Sequence, residues 1–138
     1  MFFKKRFSEE EIKNRGIFRL KNSFSYAKDG IKYAYKHEQS VWLYIPTFLL
    51  VILASIFFEL SKIEWIIVIL LLGLVYSLEI INTAIEKTVD LATSKKHPLA
   101  KAAKDLASAA VLIMATTASI IGLIIFIPKI LNFIGTLI

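Results

Sequence analysis

Cysteine is absent from the 138 residues, which excludes a disulfide framework and any thiolate metal site. Only two histidines occur, His37 and His97, too few for an imidazole zinc site without carboxylate help. Glycine is scarce, with five residues in all, so no Gly-rich loop is available to cradle a phosphate. No Walker loop (GxxxxGK followed by Ser or Thr) and no GxGxxG is present. The HRD and DFG signatures of protein kinases are missing too. Any nucleotide chemistry must therefore run on an unrelated scaffold.

Charge is missing over three long stretches. Val41 to Phe58 and Leu106 to Ile127 hold none, 18 and 22 residues respectively. Trp65 to Leu78 is also uncharged, and its apolar pattern continues past Glu79 to Ile85. About 20 apolar residues at ~1.5 Å each cross a hydrocarbon core of about 30 Å. With 57% hydrophobic residues and a mean hydropathy of +0.65, the chain reads as an all-α membrane protein with three transmembrane helices. The expected spans are 41–60, 64–92 and 98–128, the second with a cytoplasmic extension, in one membrane domain covering 1–138. Buried helices of a soluble bundle would show a polar face, and these do not. The first run begins too far into the chain for a cleaved signal peptide and lacks a small-residue cleavage pattern.

The charges that do occur are clustered. Ten of the 17 Lys and Arg residues lie in 1–40, one (Lys62) in the first turn, five between Lys87 and Lys104, and one (Lys129) near the end. This alternation places the N-terminus and second loop in the cytoplasm and the C-terminus outside. A net charge of +6 beside such apolar runs favours anionic lipid over nucleic acid as a partner. Ahead of the first span, Ile17, Leu20, Phe24, Ala27, Ile31 and Ala34 recur at spacings of three and four, one face of a helix. Lys21, Lys28, Lys32 and Lys36 lie off that face. The pattern predicts an amphipathic surface helix over 16–38, after a flexible segment at 1–15.

Acids close the second apolar run. At ~100° per residue, Glu79, Asn82, Glu86 and Asp90 fall on one helix face within about 80°, with Thr83 beside them. Glu79 lies about 10 Å deeper than Glu86, and an ionisable group at such depth faces protein or a wet cavity. Glu86 and Asp90 alone would read as a solvated helix end; the four together read as a site. Carboxylates without thiolates suit a hard divalent cation such as magnesium. Nearby, Lys95, Lys96, Lys101 and Lys104 fit either the positive-inside rule or a polyphosphate. Pro98 is placed to open the next helix, whose N-terminus favours anions.

The motifs "ExxNTAIExxxDL" and "HPLAKxAKDxASAAVLI", spanning Glu79 to Ile113, together with "SFSYAKDGIKYAYKHE" upstream, resemble the small integral-membrane lipid kinases of bacteria, the prokaryotic diacylglycerol kinase and undecaprenol kinase family. The resemblance covers most of the chain. It implies a homotrimer in the bacterial cytoplasmic membrane, with sites between protomers, that transfers the γ-phosphoryl of MgATP to a lipid alcohol. By motif, it implies Glu79 as catalytic base, and Glu86 with Glu38 as magnesium ligands. The same carry-over gives Lys104 and Asp105 as the nucleotide-binding pair. Tyr26, Lys95, Lys96 and His97 are implied as further nucleotide contacts. Arg19, Asn82 and Ser108 correspond to positions near the reacting phosphate and the lipid headgroup. Asp90 matches a motif position without an assigned role. Thr83 and Leu91 stand where the diacylglycerol-preferring variant has Ser and Arg, which resembles the undecaprenol variant; diacylglycerol is the alternative substrate. A small ion-conduit or structural subunit would account for Glu79 and Asn82, but not for Lys104, Asp105 and the lysine cluster.

Overall fold

The computed structural model describes residues 15–137, with side chains described for 19–38 and 42–137. The expectation for 1–15 falls, apart from Arg15, outside the described residues. Four helices follow one another: α1 (Arg15–His37), α2 (Gln39–Phe57), α3 (Lys62–Ala92) and α4 (Pro98–Gly135). They form two compact units, divided between Glu38 and Gln39.

The first unit contains α1. Its ladder continues one residue beyond the helix, where Glu38 N–H donates to Ala34 O at 2.9 Å. Tyr33 and His37, one turn apart, bring their rings to 4.5 Å. Leu20 and Phe24 stand exposed while Ala34 is buried.

The second unit holds α2, α3 and α4. Both α3 and α4 are long and apolar enough to cross a membrane. At ~1.5 Å per residue the 31 residues of α3 reach about 46 Å, well beyond a hydrocarbon core of about 30 Å. The surplus leaves room for the end of α3 that carries Glu86 and Asp90 to stand in the headgroups or in water, with Glu79 deeper. Helix α4 runs to Gly135, seven residues beyond the span expected to end at 128. Pro128 deletes one ladder bond there, but the residues after it are again apolar and membrane helices tolerate such a break.

The α2–α3 connection is closed by backbone chemistry. Leu60 N–H returns to Ser55 O and Glu59 N–H to Ile56 O, both at 3.1 Å, the paired bonds of a Schellman motif. The motif needs a left-handed residue, and Glu59 supplies it with φ 48°, a position where glycine is the usual choice. Ser61 then starts α3 with a capping box: its N–H donates to Glu64 Oε2 at 2.7 Å and its Oγ accepts from Glu64 N–H at 3.4 Å. Leu60, Val68 and Ile125 form a small buried cluster below this turn. Phe57, Phe58, Phe126 and Phe133 stack edge to face around it, and Lys129 reaches Glu64 at 3.1 Å.

Polarity is inverted relative to a water-soluble bundle. Leu112 and Ile124 are 68% and 67% exposed, whereas Glu79 and Thr83 are each 8% exposed. Where hydrocarbon is the solvent, burying leucine gains little and polar groups turn inward instead.

Candidate active site

The acidic stripe of α3 faces its two neighbours. Tyr44, from α2, donates its hydroxyl to Glu79 Oε2 at 3.3 Å. One turn along α3, Asn82 Nδ2 donates to Glu86 Oε1 at 3.3 Å, and Asn82 Oδ1 accepts from Ser108 Oγ of α4 at 3.4 Å. A further turn on, Lys104 Nζ reaches Asp90 Oδ1 at 2.6 Å. Ser108 and Lys104 are four residues apart on α4, and Asn82, Glu86 and Asp90 repeat every four on α3. The two helices thus run antiparallel with one polar ladder between them.

Beyond the ladder lies the connection 93–97. Thr93 Oγ1 accepts from Lys95 N–H at 3.1 Å, tightening the turn. His97 caps α4, its Nδ1 accepting from Leu99 N–H at 3.2 Å, and Pro98 takes the first helical position. His97 thereby has a structural task that its sequence position did not announce. Together with the ends of α3 and α4 this turn walls a depression of about 1010 Å³. Lys95, Lys96, His97, Lys104 and Asp105 all line it, joined by Asp90 and Lys101.

The predicted site residues therefore fall into three groups. Glu79, Asn82, Glu86 and Ser108 lie along the ladder. Lys95, Lys96, His97, Lys104 and Asp105 share the depression. Arg19, Tyr26 and Glu38 belong to the α1 unit, with Arg19 and Tyr26 exposed. Lys104 and Asp105, adjacent on α4, each hold a different partner. Lys104 holds Asp90, and Asp105 accepts from Lys101 Nζ at 2.6 Å. Lys101, Asp105 and Asp90 are largely exposed and Lys104 is 37% exposed, and a solvent-accessible pair such as Lys104–Asp90 contributes only about 0–1 kcal/mol. Such a pair is easily exchanged for a more highly charged anion.

Among the described residues, no three His, Asp or Glu side chains converge as a metal cluster. Glu86 keeps one carboxylate oxygen outside the Asn82 bond. That suits magnesium, which is usually held by one or two carboxylates completed by substrate phosphates and water.

A model of the prokaryotic diacylglycerol kinase family matches residues 25–126. The chain belongs to this family. An undecaprenol kinase of Bacillus subtilis is 48% identical over 111 residues, covering 80% of this chain and 90% of the relative. A diacylglycerol kinase of Helicobacter pylori is 40% identical over 101 residues, 73% of this chain and 79% of that protein. The diacylglycerol kinase of Escherichia coli K12 is 32% identical over 105 residues, 76% and 86% of the two chains.

Within this prokaryotic diacylglycerol kinase family member, sequence placed Asp90 on the acidic face and Lys101 in the lysine cluster without giving either a role, and it did not mark Tyr44. Lys101 and Asp105 are four apart on one helix, so that contact was readable. Asp90 and Lys104 meet across a loop. Tyr44 reaches Glu79 from another helix, 35 residues away in the chain, and no local pattern marks it.

Proposed function

We propose that this chain is a membrane lipid kinase that transfers the γ-phosphoryl of MgATP to undecaprenol. The observation that carries the proposal is the ladder: a buried carboxylate, Glu79, at the apolar end of a polar stripe that leads to a lysine-lined depression. The 48% identical relative, an undecaprenol kinase, supports the choice of lipid. The Helicobacter pylori relative favours diacylglycerol as the second reading. Family membership leaves the conduit and structural-subunit readings without support.

In this reading the nucleotide phosphates occupy the depression, held by Lys95, Lys96, His97, Lys104 and Asp105; Tyr26 and Arg19 are nucleotide contacts by motif alone. ATP displaces Asp90 from Lys104, a cheap exchange for an exposed pair. Glu86 would hold magnesium, which would neutralise charge on the phosphate oxygens when bound; Glu38 carries the same ligand role by motif alone. Asn82 and Ser108 orient Glu86 and the lipid headgroup. Glu79 accepts the hydroxyl proton as the lipid oxygen bonds to the γ-phosphorus; the bond to the β-phosphate oxygen breaks and ADP leaves. Phosphoryl transfer needs positioning and charge neutralisation more than a large fold, so a few side chains between helices suffice.

The same proposal makes α2 a third span, lays α1 on the cytoplasmic membrane surface, and assembles three protomers with the C-terminus outside. The uncharged length of α2, the basic face of α1 and the lysine distribution support the topology; the three-protomer assembly rests on the family resemblance.

The test is transfer of radiolabelled γ-phosphate from ATP with magnesium, using purified protein and equal mole fractions of undecaprenol or diacylglycerol. Label in polyprenyl phosphate is expected. Label mainly in phosphatidic acid would replace the substrate, and label in neither would overturn the kinase reading.

A further inference from the structure

A cavity of about 280 Å³ opens between α2, α3 and α4, with Tyr44, Phe48, Val68, Val75, Ala118 and Gly122 among its walls. Tyr44 belongs to both places: its ring lines the cavity and its hydroxyl holds Glu79. Along α3 the wall of the groove runs from Val68 to Val75, about 10 Å at ~1.5 Å per residue, and Glu79 lies one turn beyond Val75.

Its hydroxyls are committed elsewhere. Thr47 Oγ1 donates to Leu43 O and Ser119 Oγ to Ala115 O, both at 2.8 Å. Ester and other acceptor-only groups would find no free side-chain donor among these hydroxyls, at a cost of some kcal/mol. A hydrocarbon loses nothing. The volume lies at the low end of ligand pockets, which begin near 300 Å³, so it suits part of a chain rather than a whole lipid.

We infer that this groove receives the hydroxyl-bearing end of a polyprenol chain and thereby selects the lipid alcohol. The inference rests on the kinase reading above and extends it to the substrate's shape. In a polyprenol the hydrocarbon begins at the carbon that carries the hydroxyl, so a hydroxyl at Glu79 delivers the chain into the groove at once. A diacylglycerol interposes a glycerol and two ester groups, whose carbonyls find no free donor here, and it brings two chains to a groove sized for one.

Gly122 allows a clean test, because a Cβ built there meets nothing within 4 Å. Leucine at that position fills the groove from its own floor. Gly122→Leu and Ala118→Leu, with Gly122→Ala as a milder companion, are assayed for kcat/KM on farnesol, undecaprenol and diacylglycerol. KM for ATP and the oligomer mass by light scattering are measured alongside. The leucine variants are expected to lower kcat/KM for both polyprenols at least about tenfold, the scale of a lost pocket contact. Diacylglycerol should be affected less, with ATP KM and oligomer mass unchanged. Gly122→Ala should move the same ratio in the same direction by less, which keeps the test valid if leucine impairs folding. Equal losses on all lipids, no loss on any, or a changed oligomer mass (a second copy seated in the groove) would overturn the inference while the kinase reading stands. A wild-type protein that labels no lipid would overturn both.

Discussion

The two ends of the α2–α3–α4 unit are built from different materials. Around the 58–61 turn, aromatic rings stack and the backbone closes on itself through a Schellman motif and a capping box. Towards the 93–97 turn polar contacts join the helices: Tyr44 to Glu79, Ser108 to Asn82, Lys104 to Asp90, with the rings of Tyr44, Phe48 and Tyr76 packed at the inner limit of that stretch. Ring contacts in apolar surroundings are insensitive to what binds nearby. Exposed charge pairs exchange readily for another charge. One end therefore holds the helices together, and the other can open to a ligand without unfolding them.

That contrast can be broken deliberately. The largest effect is expected from Glu86→Gln at the acidic end. Lipid phosphorylation should fall on the order of 100-fold or more, as for loss of several kcal/mol of metal-borne charge stabilisation, while circular dichroism and oligomer mass stay unchanged. Normal turnover would remove Glu86 from metal binding. Glu79→Gln should lower kcat by about 100-fold, the lower range for a general base, with KM for ATP unchanged. A raised KM at full kcat would show that Glu79 serves the nucleotide instead. Lys104→Ala should raise KM for ATP about tenfold, equivalent to ~1.4 kcal/mol, and leave the melting temperature in place because its bond to Asp90 is exposed.

Crossing to the aromatic end should reverse the pattern. Phe58→Ala removes contacts with Phe57, Phe126 and Phe133, a loss of about 1–2 kcal/mol. Thermal unfolding in detergent should shift down while specific activity of the folded fraction holds. Reduced kcat without reduced stability would contradict the division between the ends. The smallest effect is expected from Glu59→Gly, which relieves the left-handed backbone and should stabilise by about 1 kcal/mol or less. Unfolding of the two proteins in parallel would read it.

The helices of α3 and α4 were legible because uncharged length is a property of consecutive residues, and a bilayer demands it directly. The stripe of Glu79, Asn82, Glu86 and Asp90 was legible because helix geometry converts spacing into a shared face. Lys95, Lys96 and Lys104 stood out through charge and motif, and the structure shows that they line one depression. The Glu59 turn was less readable, since glutamate is not the residue that a left-handed position advertises. The continuation of α4 past Pro128 was also hidden, because proline predicts a stop in water and only a bend among apolar neighbours.

Sequence alone determined that the chain is helical, membrane-bound and acidic on one face of its second long helix. Those properties follow from composition and from a period of 3.6 residues, both local. Tertiary structure alone decided the partners. Lys104 holds Asp90, and Tyr44 holds Glu79. It also decided that an apolar groove starts at that tyrosine. Each depends on the distance between helices and their rotation against one another, which side chains far apart in the chain set jointly and no short stretch encodes.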